Sequence, residues 1–371
     1  MRAKSGSPAR PRRPTRATHR RQPSRATLER RPASFPDVAA RVLATLRSAP
    51  VVSGERLSVD IHVSRTAIWK HVERLRALGY RIDAERTRGY RLRAVPDRLL
   101  AVEIERLLDT ERFGRHIVYF SETDSTNVQA TRLAQAGAPE GTLVVAERQT
   151  RGRGRLGRSW VSPAHVSLYA SFVLRPTLAP ADAPQIGLAA AVAVARALAP
   201  LAPGKVAIKW PNDCLLDGRK VAGILTEMDA EIDRVHSVVL GIGVNLNTSA
   251  RAFPPELRAT ATSVQLVTGR KVDRVAFTAA LCGALEAVYD RLLREGFGAL
   301  VAEWNAYSCL TGREVTVECA GQRTGGRVRG LDARGRLVLD GPRGEEHIVA
   351  GDVTLVGGCG ALRTGAKSND G

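Results

Sequence analysis

The chain has 371 residues, 44% of them hydrophobic, and a formal net charge of +19. That length holds two or three domains with a large core, and that hydrophobic share excludes a wholly disordered chain. The longest apolar stretch, Ile186–Ala195, ends at Arg196 and is too short to cross a bilayer, so it reads as a buried helix.

Much of the charge is local: eleven basic residues against the single acid Glu29 fall within residues 1–36. This stretch is rich in Arg, Pro, Ser and Thr and cannot build a core. It reads as a disordered basic arm, either a solvated tail of no specific function or a non-specific phosphate contact beside a DNA-binding domain, and its prolines spoil an amphipathic presequence.

Residues 37–96 follow. Val38, Val42 and Leu46 recur at helical spacing, with Ala39 and Leu43 beside them. Ser53 caps a short second helix, and Ser64 caps a third whose apolar stripe is Ile68, Val72, Leu75 and Leu78. Gly79 ends that helix in a left-handed cap. The runs Tyr80–Asp83 and Arg88–Leu92 then form a hairpin. The pattern predicts a winged helix-turn-helix, with Ser64, Arg65, Thr66, Trp69, Lys70 and Arg74 on the DNA-reading helix.

Residues 97–308 alternate strand-like runs with helical ones. Strands are predicted over 116–120, 143–146, 167–173, 206–210, 220–227 and 235–244, and helices over 125–136, 184–198 and 274–295. Asp217-Gly218 between two apolar runs signals a hairpin, so the domain is mixed α/β within an α+β chain. Residues 309–358 carry short alternating runs punctuated by Gly and Asp, which predicts a small SH3-like β-barrel. Residues 359–371 are a polar tail. The five cysteines have no CxxC spacing and no His–Cys cluster, so no zinc is expected, and free thiols point to the cytoplasm.

Two basic segments carry the chemistry. Gln149–Arg158 reads QTRGRGRLGR, and Lys209–Glu227 reads KWPNDCLLDGRKVAGILTE. In the first, Gly152 and Gly154 let backbone N–H groups approach phosphate, while Arg153, Arg155 and Arg158 supply planar charged forks. A lone GRGR also occurs in disordered RNA-binding segments. Here it lies between a β-run and Ser159-Trp160 with another strand beyond, which favours an orderable loop. Lys220 follows the Asp217-Gly218 turn, opposite Val221 in strand alternation; alone it would read as a solvated edge lysine. Together the segments suit a site that joins a triphosphate and a carboxylate, as adenylation of a carboxylic acid requires.

With Asp124-Ser125-Thr126-Asn127 at a helix start, these strings resemble the bifunctional biotin ligase–repressor family from residue 37 to about 356. The resemblance implies an ATP-dependent ligase that forms biotinyl-5′-AMP and transfers biotin to a lysine of the biotin carboxyl carrier protein of acetyl-CoA carboxylase. Ser125, Thr126, Asn127, Gln149, Arg153, Gly154, Arg155 and Lys220 would bind biotin. Gly152, Arg155, Arg158, Asn212, Lys220 and Asn245 would bind the nucleotide, with Arg155, Lys220 and Asp213 the catalytic set. Mg²⁺ would accompany ATP. The glycine–arginine loop is expected to be mobile without ligand. The family also uses biotinyl-5′-AMP as corepressor, pairing two copies on operator DNA. A DNA-binding biotin sensor without ligation and a lipoate-type ligase are the alternatives.

Overall fold

The computed structural model describes residues 37–85, 87–319 and 321–355; the expectations for the basic arm and the polar tail lie outside the described residues. The first three helices are α1 (Asp37–Ser48), α2 (Gly54–Ile61) and α3 (Arg65–Ala77), followed by the wing strands β1 (Arg81–Glu85) and β2 (Gly89–Ala94). Each helix start has its predicted cap: Ser53 Oγ accepts from the Arg56 N–H, and Ser64 Oγ from that of Ala67. After α3 the Tyr80 N–H donates to the Leu75 carbonyl and the Gly79 N–H to that of Arg76, with Gly79 at φ 101°. That is a Schellman motif, and only glycine reaches such a φ without strain.

The next unit contains α4 (Ala101–Glu105), β3 (Ile117–Phe120), α5 (Thr126–Gln135), β4 (Leu143–Ala146), β5 (Leu168–Leu174), α6 (Gln185–Leu198), β6 (Val206–Lys209), β7 (Asp213–Leu216), β8 (Arg219–Ala230), β9 (Val235–Val244), α7 (Val264–Thr268), α8 (Arg274–Glu295) and α9 (Val301–Tyr307). The seven strands form one sheet in the order β3-β4-β5-β9-β8-β7-β6, with β3–β4 parallel and the other pairs antiparallel. Strand alternation sorts the side chains to two faces. Leu143, Val145, Ala170, Phe172, Leu240 and Ile242 pack in one core with α6 and α8, whereas Val118, Phe120, Val144, Ala146, Val173 and Val239 pack with Ala130 and Ala134 of α5. Among the described residues no helix is long and apolar enough to cross a membrane.

The last five strands are β10 (Glu314–Cys319), β11 (Gln322–Leu331), β12 (Leu337–Gly341), β13 (Gly344–Ile348) and β14 (Asp352–Leu355). They form an antiparallel sheet in the order β13-β12-β11-β10-β14. Here the sequence reading goes further than the structure: β13 and β14 lie at opposite edges, and no ladder among the described residues joins them into a closed barrel. The alternating pattern specifies strands and turns, but closure depends on how far the sheet curls.

Buried ionic contacts fix how the winged unit meets the larger sheet. Glu103 on α4 is 2% exposed. It takes a hydrogen bond from Tyr80, which follows α3, and pairs with Arg47 of α1 at 2.6 Å. The connecting segment is held by a second knot. Arg274 opens α8 with its side chain wholly buried, as is that of Glu147 at the end of β4, and the two pair at 2.9 Å. Arg274 also pairs with the Asp97 carboxylate at 2.8 Å and donates to its carbonyl at 2.6 Å, while the Leu99 N–H donates to Glu147 at 2.8 Å.

Arg274→Met would leave Glu147 a buried carboxylate without its cation, which costs about 3–5 kcal/mol; urea unfolding of wild type and variant measures this loss. Burial opposes the charge of Asp97, but Lys271 and Arg274 outweigh it and hold the carboxyl below its usual range. The unfolded chain therefore binds this proton at higher pH than the folded one does. The associated stability is complete above the unfolded pKa of about 3.9 and is lost as pH falls through the lower folded value. The same titration repeated across acid pH should show this decline in wild type, and a shallower one in Asp97→Asn.

Candidate functional site

The floor of the site follows from alternation on the face of the sheet that carries α5. Gly223 of β8 stands directly opposite Gly243 of β9, and Gly241 stands opposite Ser171 of β5. A Cβ on Gly243 would lie 2.5 Å from the Trp160 ring, and one on Gly241 would lie 2.0 Å from Asn127 Oδ1. The glycines therefore make room for the protein's own Trp160 and Asn127. Lys220 Nζ lies 5.5 Å from the centroid of the Trp160 ring.

Asp124–Asn127 enters α5 from the same side. Ser125 is the residue before the helix, but its hydroxyl caps nothing. Asp124 instead braces the turn into the helix, accepting from the Ser125 N–H at 2.7 Å and from the Gln129 side-chain amide at 3.0 Å. Burial works against the Asp124 charge, yet these donors and the Thr123 hydroxyl hold the carboxyl below its usual range. Ser125 is thus left with its hydroxyl on the cavity. Gln149 Oε1 accepts from the Thr126 N–H at 2.8 Å, and Gln149 Nε2 donates to Ser162 at 2.9 Å. Ser171 Oγ lies 2.6 Å from Asn127 Oδ1 and 2.8 Å from Thr126 Oγ1.

The glycine–arginine segment folds back on itself, with the Gly154 N–H donating to the Arg158 carbonyl and the Trp160 N–H to that of Gly152. Leu156 sits at its tip with φ 54° and is 74% exposed. Four cations of the site have partners within the protein. Arg153 pairs with Glu227 at 2.8 Å, and Arg155 donates to Asn212 Oδ1 at 3.0 Å. Arg158 pairs with Asp352 of β14. Lys220 lies 2.7 Å from Asp213 Oδ1, an ion pair without the alignment of a hydrogen bond. Lys220 is aimed by a bulge: Leu215 pairs with Lys220 and Cys214 with Ala222, so Val221 is the extra residue.

One cavity of about 750 Å³ gathers these groups. Ser125, Thr126, Asn127, Gln149, Arg153 and Gly154 line it, as do Arg155, Arg158, Asn212, Asp213, Lys220 and Asn245. Gly152 is buried in the loop and does not face the cavity. Trp210, the first residue of the Trp-Pro-Asn-Asp string, is core at 2% exposure, although it also reaches the cavity wall. Sequence reasoning missed Ser171, Glu227, Trp160 as a wall residue, and Asp352. Trp160 adjoins one motif and Glu227 closes the other, but what Glu227, Ser171 and Asp352 touch is set by contacts far along the chain. On the winged unit, Ser64, Arg65, Thr66, Trp69, Lys70 and Arg74 are all exposed along α3. No group of three or more His, Cys, Asp or Glu able to hold a metal occurs among the described residues.

Comparison with known proteins agrees with this division. The model of the biotin/lipoate A/B protein ligase family matches residues 119–245, an HTH domain model matches residues 39–91, and the biotin protein ligase C-terminal domain model matches residues 310–356. The chain is 40% identical over 304 residues to the bifunctional ligase/repressor BirA of Bacillus spizizenii, covering 82% of this chain and 94% of that one. It is 31% identical to the bifunctional ligase/repressor BirA of Escherichia coli, covering 82% and 92%. Among solved structures, the biotin protein ligase of Aquifex aeolicus in complex with biotin and ATP superposes with a TM-score of 0.57 at 28% identity, covering 65% of this chain and 99% of that one.

The seating of Trp160 on Gly223 and Gly243 has a direct test. Gly243→Ala should push the ring off the floor, shift the tryptophan emission and cost about 1–3 kcal/mol. Unchanged emission and stability would mean that the ring rests elsewhere.

Proposed function

The chain belongs to the biotin/lipoate protein ligase family, as a biotin protein ligase of the bifunctional ligase/repressor type, and from that premise we propose how its residues divide the work. It is a ligase that activates biotin with ATP and passes it to a carrier protein, and a repressor that binds DNA. The observation that carries the reading is that Arg155 and Lys220, far apart in sequence, line one cavity with Ser125, Thr126 and Asn127.

Joining a carboxylate to an amine in water is uphill unless coupled to ATP. The biotin carboxylate attacks the α-phosphate, pyrophosphate leaves, and the mixed anhydride then meets the carrier lysine. The residues' task is to bring anions together, hold their geometry and exclude water. Ser125, Thr126, Asn127 and Gln149 present donors and acceptors for the ureido ring, which has one carbonyl and two N–H groups. Arg153, Gly154, Arg155 and Lys220 meet the carboxylate, and Arg155 and Lys220 also hold the adenylate phosphate. Arg158, Asn212 and Asn245 serve the nucleotide, with the Gly152 backbone behind them. Asp213 completes the catalytic set beside Lys220, placed to orient the incoming lysine or the metal. Mg²⁺ takes oxygen ligands and rests on one or two carboxylates plus phosphates. Asp213 fits that need, since its Oδ1 is buried without an aligned hydrogen bond. When bound, Mg²⁺ supplies charge that neutralises the triphosphate.

Each of these four cations already holds an internal acceptor, so a ligand oxygen either takes up a remaining N–H or competes for the one in use. We take the carrier to be the biotin carboxyl carrier protein of acetyl-CoA carboxylase, the site of action to be the cytoplasm, and the modules to run 37–96, 97–308 and 309–358, the last an SH3-like unit. For the repressor, α3 enters the major groove with Arg65, Thr66 and Lys70 towards the DNA. Biotinyl-5′-AMP acts as corepressor by favouring a homodimer that reads two half-sites of a biotin-gene operator, through a coupling of about 1–3 kcal/mol.

Mass spectrometry tests the enzyme: with biotin, ATP, Mg²⁺ and apo-carrier, the carrier should gain one biotinyl group. Lys220→Ala should weaken adenylate formation about tenfold to hundredfold, the range for losing a charge-assisted hydrogen bond, with the fold intact by circular dichroism. Replacing Arg65 and Lys70 together by Ala should abolish the gel shift on the operator in the presence of biotinyl-5′-AMP while leaving carrier biotinylation at the wild-type rate. Equal loss of both activities would refute the two-module division.

A further inference from the structure

We propose that Glu227 is a positioning residue of the biotin site, one carboxylate that sets both the rotamer of Asn127 and the seat of the glycine–arginine loop. This rests on the reading that the cavity binds biotin. Glu227 does not line the cavity. It stands on β8 behind the wall, on the strand face that also carries Gly223 and Leu225. From there it reaches two functional segments that are far apart in sequence. Asn127 Nδ2 donates to Glu227 Oε2 at 2.8 Å. Arg153 approaches both oxygens, with Nη2 2.8 Å from Oε1 and Nη1 donating to Oε2 at 3.4 Å.

The chemistry of the groups makes this arrangement directional. A carboxylate only accepts, so it compels the Asn127 amide to turn its nitrogen towards β8. The amide oxygen then faces Ser171 Oγ at 2.6 Å, in the space that the missing Cβ of Gly241 leaves open. The Leu225 carbonyl, at 3.5 Å from the same nitrogen, is the weaker second acceptor, so without Glu227 the preference for this rotamer falls and the flipped one presents a donor where an acceptor stood. Arg153 gains a forked, charge-assisted contact that fixes its geometry as well as its charge. Arg151, Arg155 and Arg158 are tied to Asp124, Asn212 and Asp352 instead, so among the described residues Arg153 is the loop arginine that meets the carboxylate ordering Asn127.

Three variants and two readouts test this: biotin affinity by calorimetry, and the rate of tryptic cleavage within residues 151–158. Glu227→Ala should raise the biotin Kd about tenfold to hundredfold, as expected for losing charge-assisted contacts, and should speed loop cleavage. Its KM for biotin should rise, while the rate of carrier transfer from supplied biotinyl-5′-AMP changes less. Glu227→Gln keeps an acceptor for Asn127 but turns a donor towards Arg153, so it should retain more biotin affinity than Glu227→Ala while still loosening the loop. In an Arg153→Ala background, Glu227→Gln should have no further effect on cleavage. Wild-type biotin affinity and wild-type cleavage in folded Glu227→Ala would overturn the proposal. If Glu227→Ala does not fold, the same result in Glu227→Gln overturns it. Wild-type protein that binds no biotin would remove the underlying reading and the proposal with it.

Discussion

Crowding like charge is the constraint from which the rest of the site follows. Arg153, Arg155, Arg158 and Lys220 converge on one cavity, where like charges in a partly desolvated space repel each other. The protein holds them by giving each an oxygen of its own: Glu227, Asn212, Asp352 and Asp213. These acceptors come from β8, the β6–β7 turn, β14 and β7 in turn, so the cation cluster is assembled only when the central and C-terminal sheets are both in place. A flexible basic loop could attract a triphosphate, but it could not present a fixed set of directions to it. The internal acceptors supply those directions before any ligand arrives.

The sheet supplies the other half of the geometry. Alternation places Leu240, Ile242 and Val244 in the core and Gly241 and Gly243 on the opposite face, so one short string serves both the packing and the site. The tryptophan that covers the glycines is also the surface beneath the Lys220 ammonium. Removing side chains from the floor and restoring one large ring from a neighbouring loop makes the wall of the cavity depend on where that loop sits. Loop position and cavity shape are then one variable.

Much of this was legible in the sequence wherever the signal was local. Ser53, Ser64 and Gly79 marked helix ends because capping depends on neighbours within one turn, and the observed bonds are those of the predicted motifs. The runs at β4 and β9 were read to the residue, since largely apolar strands bounded by turn residues carry strong signals. Asp217 and Gly218 both take positive φ, as the hairpin reading requires. What was not legible is non-local. Glu227 and Ser171 look like ordinary strand residues until register puts them beside Asn127. Helices α4, α7 and α9 are too short for periodicity to reveal. The C-terminal run predicted a small SH3-like barrel; its strands form one antiparallel sheet, and no ladder among the described residues closes it, because strand pattern alone does not determine curl.

Glu103 draws the DNA-facing and biotin-facing parts into one object. Its carboxylate lies buried where α1, the turn that follows α3, and α4 meet, with Arg47 and Tyr80 as partners from the winged unit. A chain stripped of that unit would keep the acid and lose both partners. Shedding the DNA reader would bare this acid to water with Arg106 as its nearby cation, so a lone acidic side chain kept at this position becomes the scar by which a lost module could be recognised.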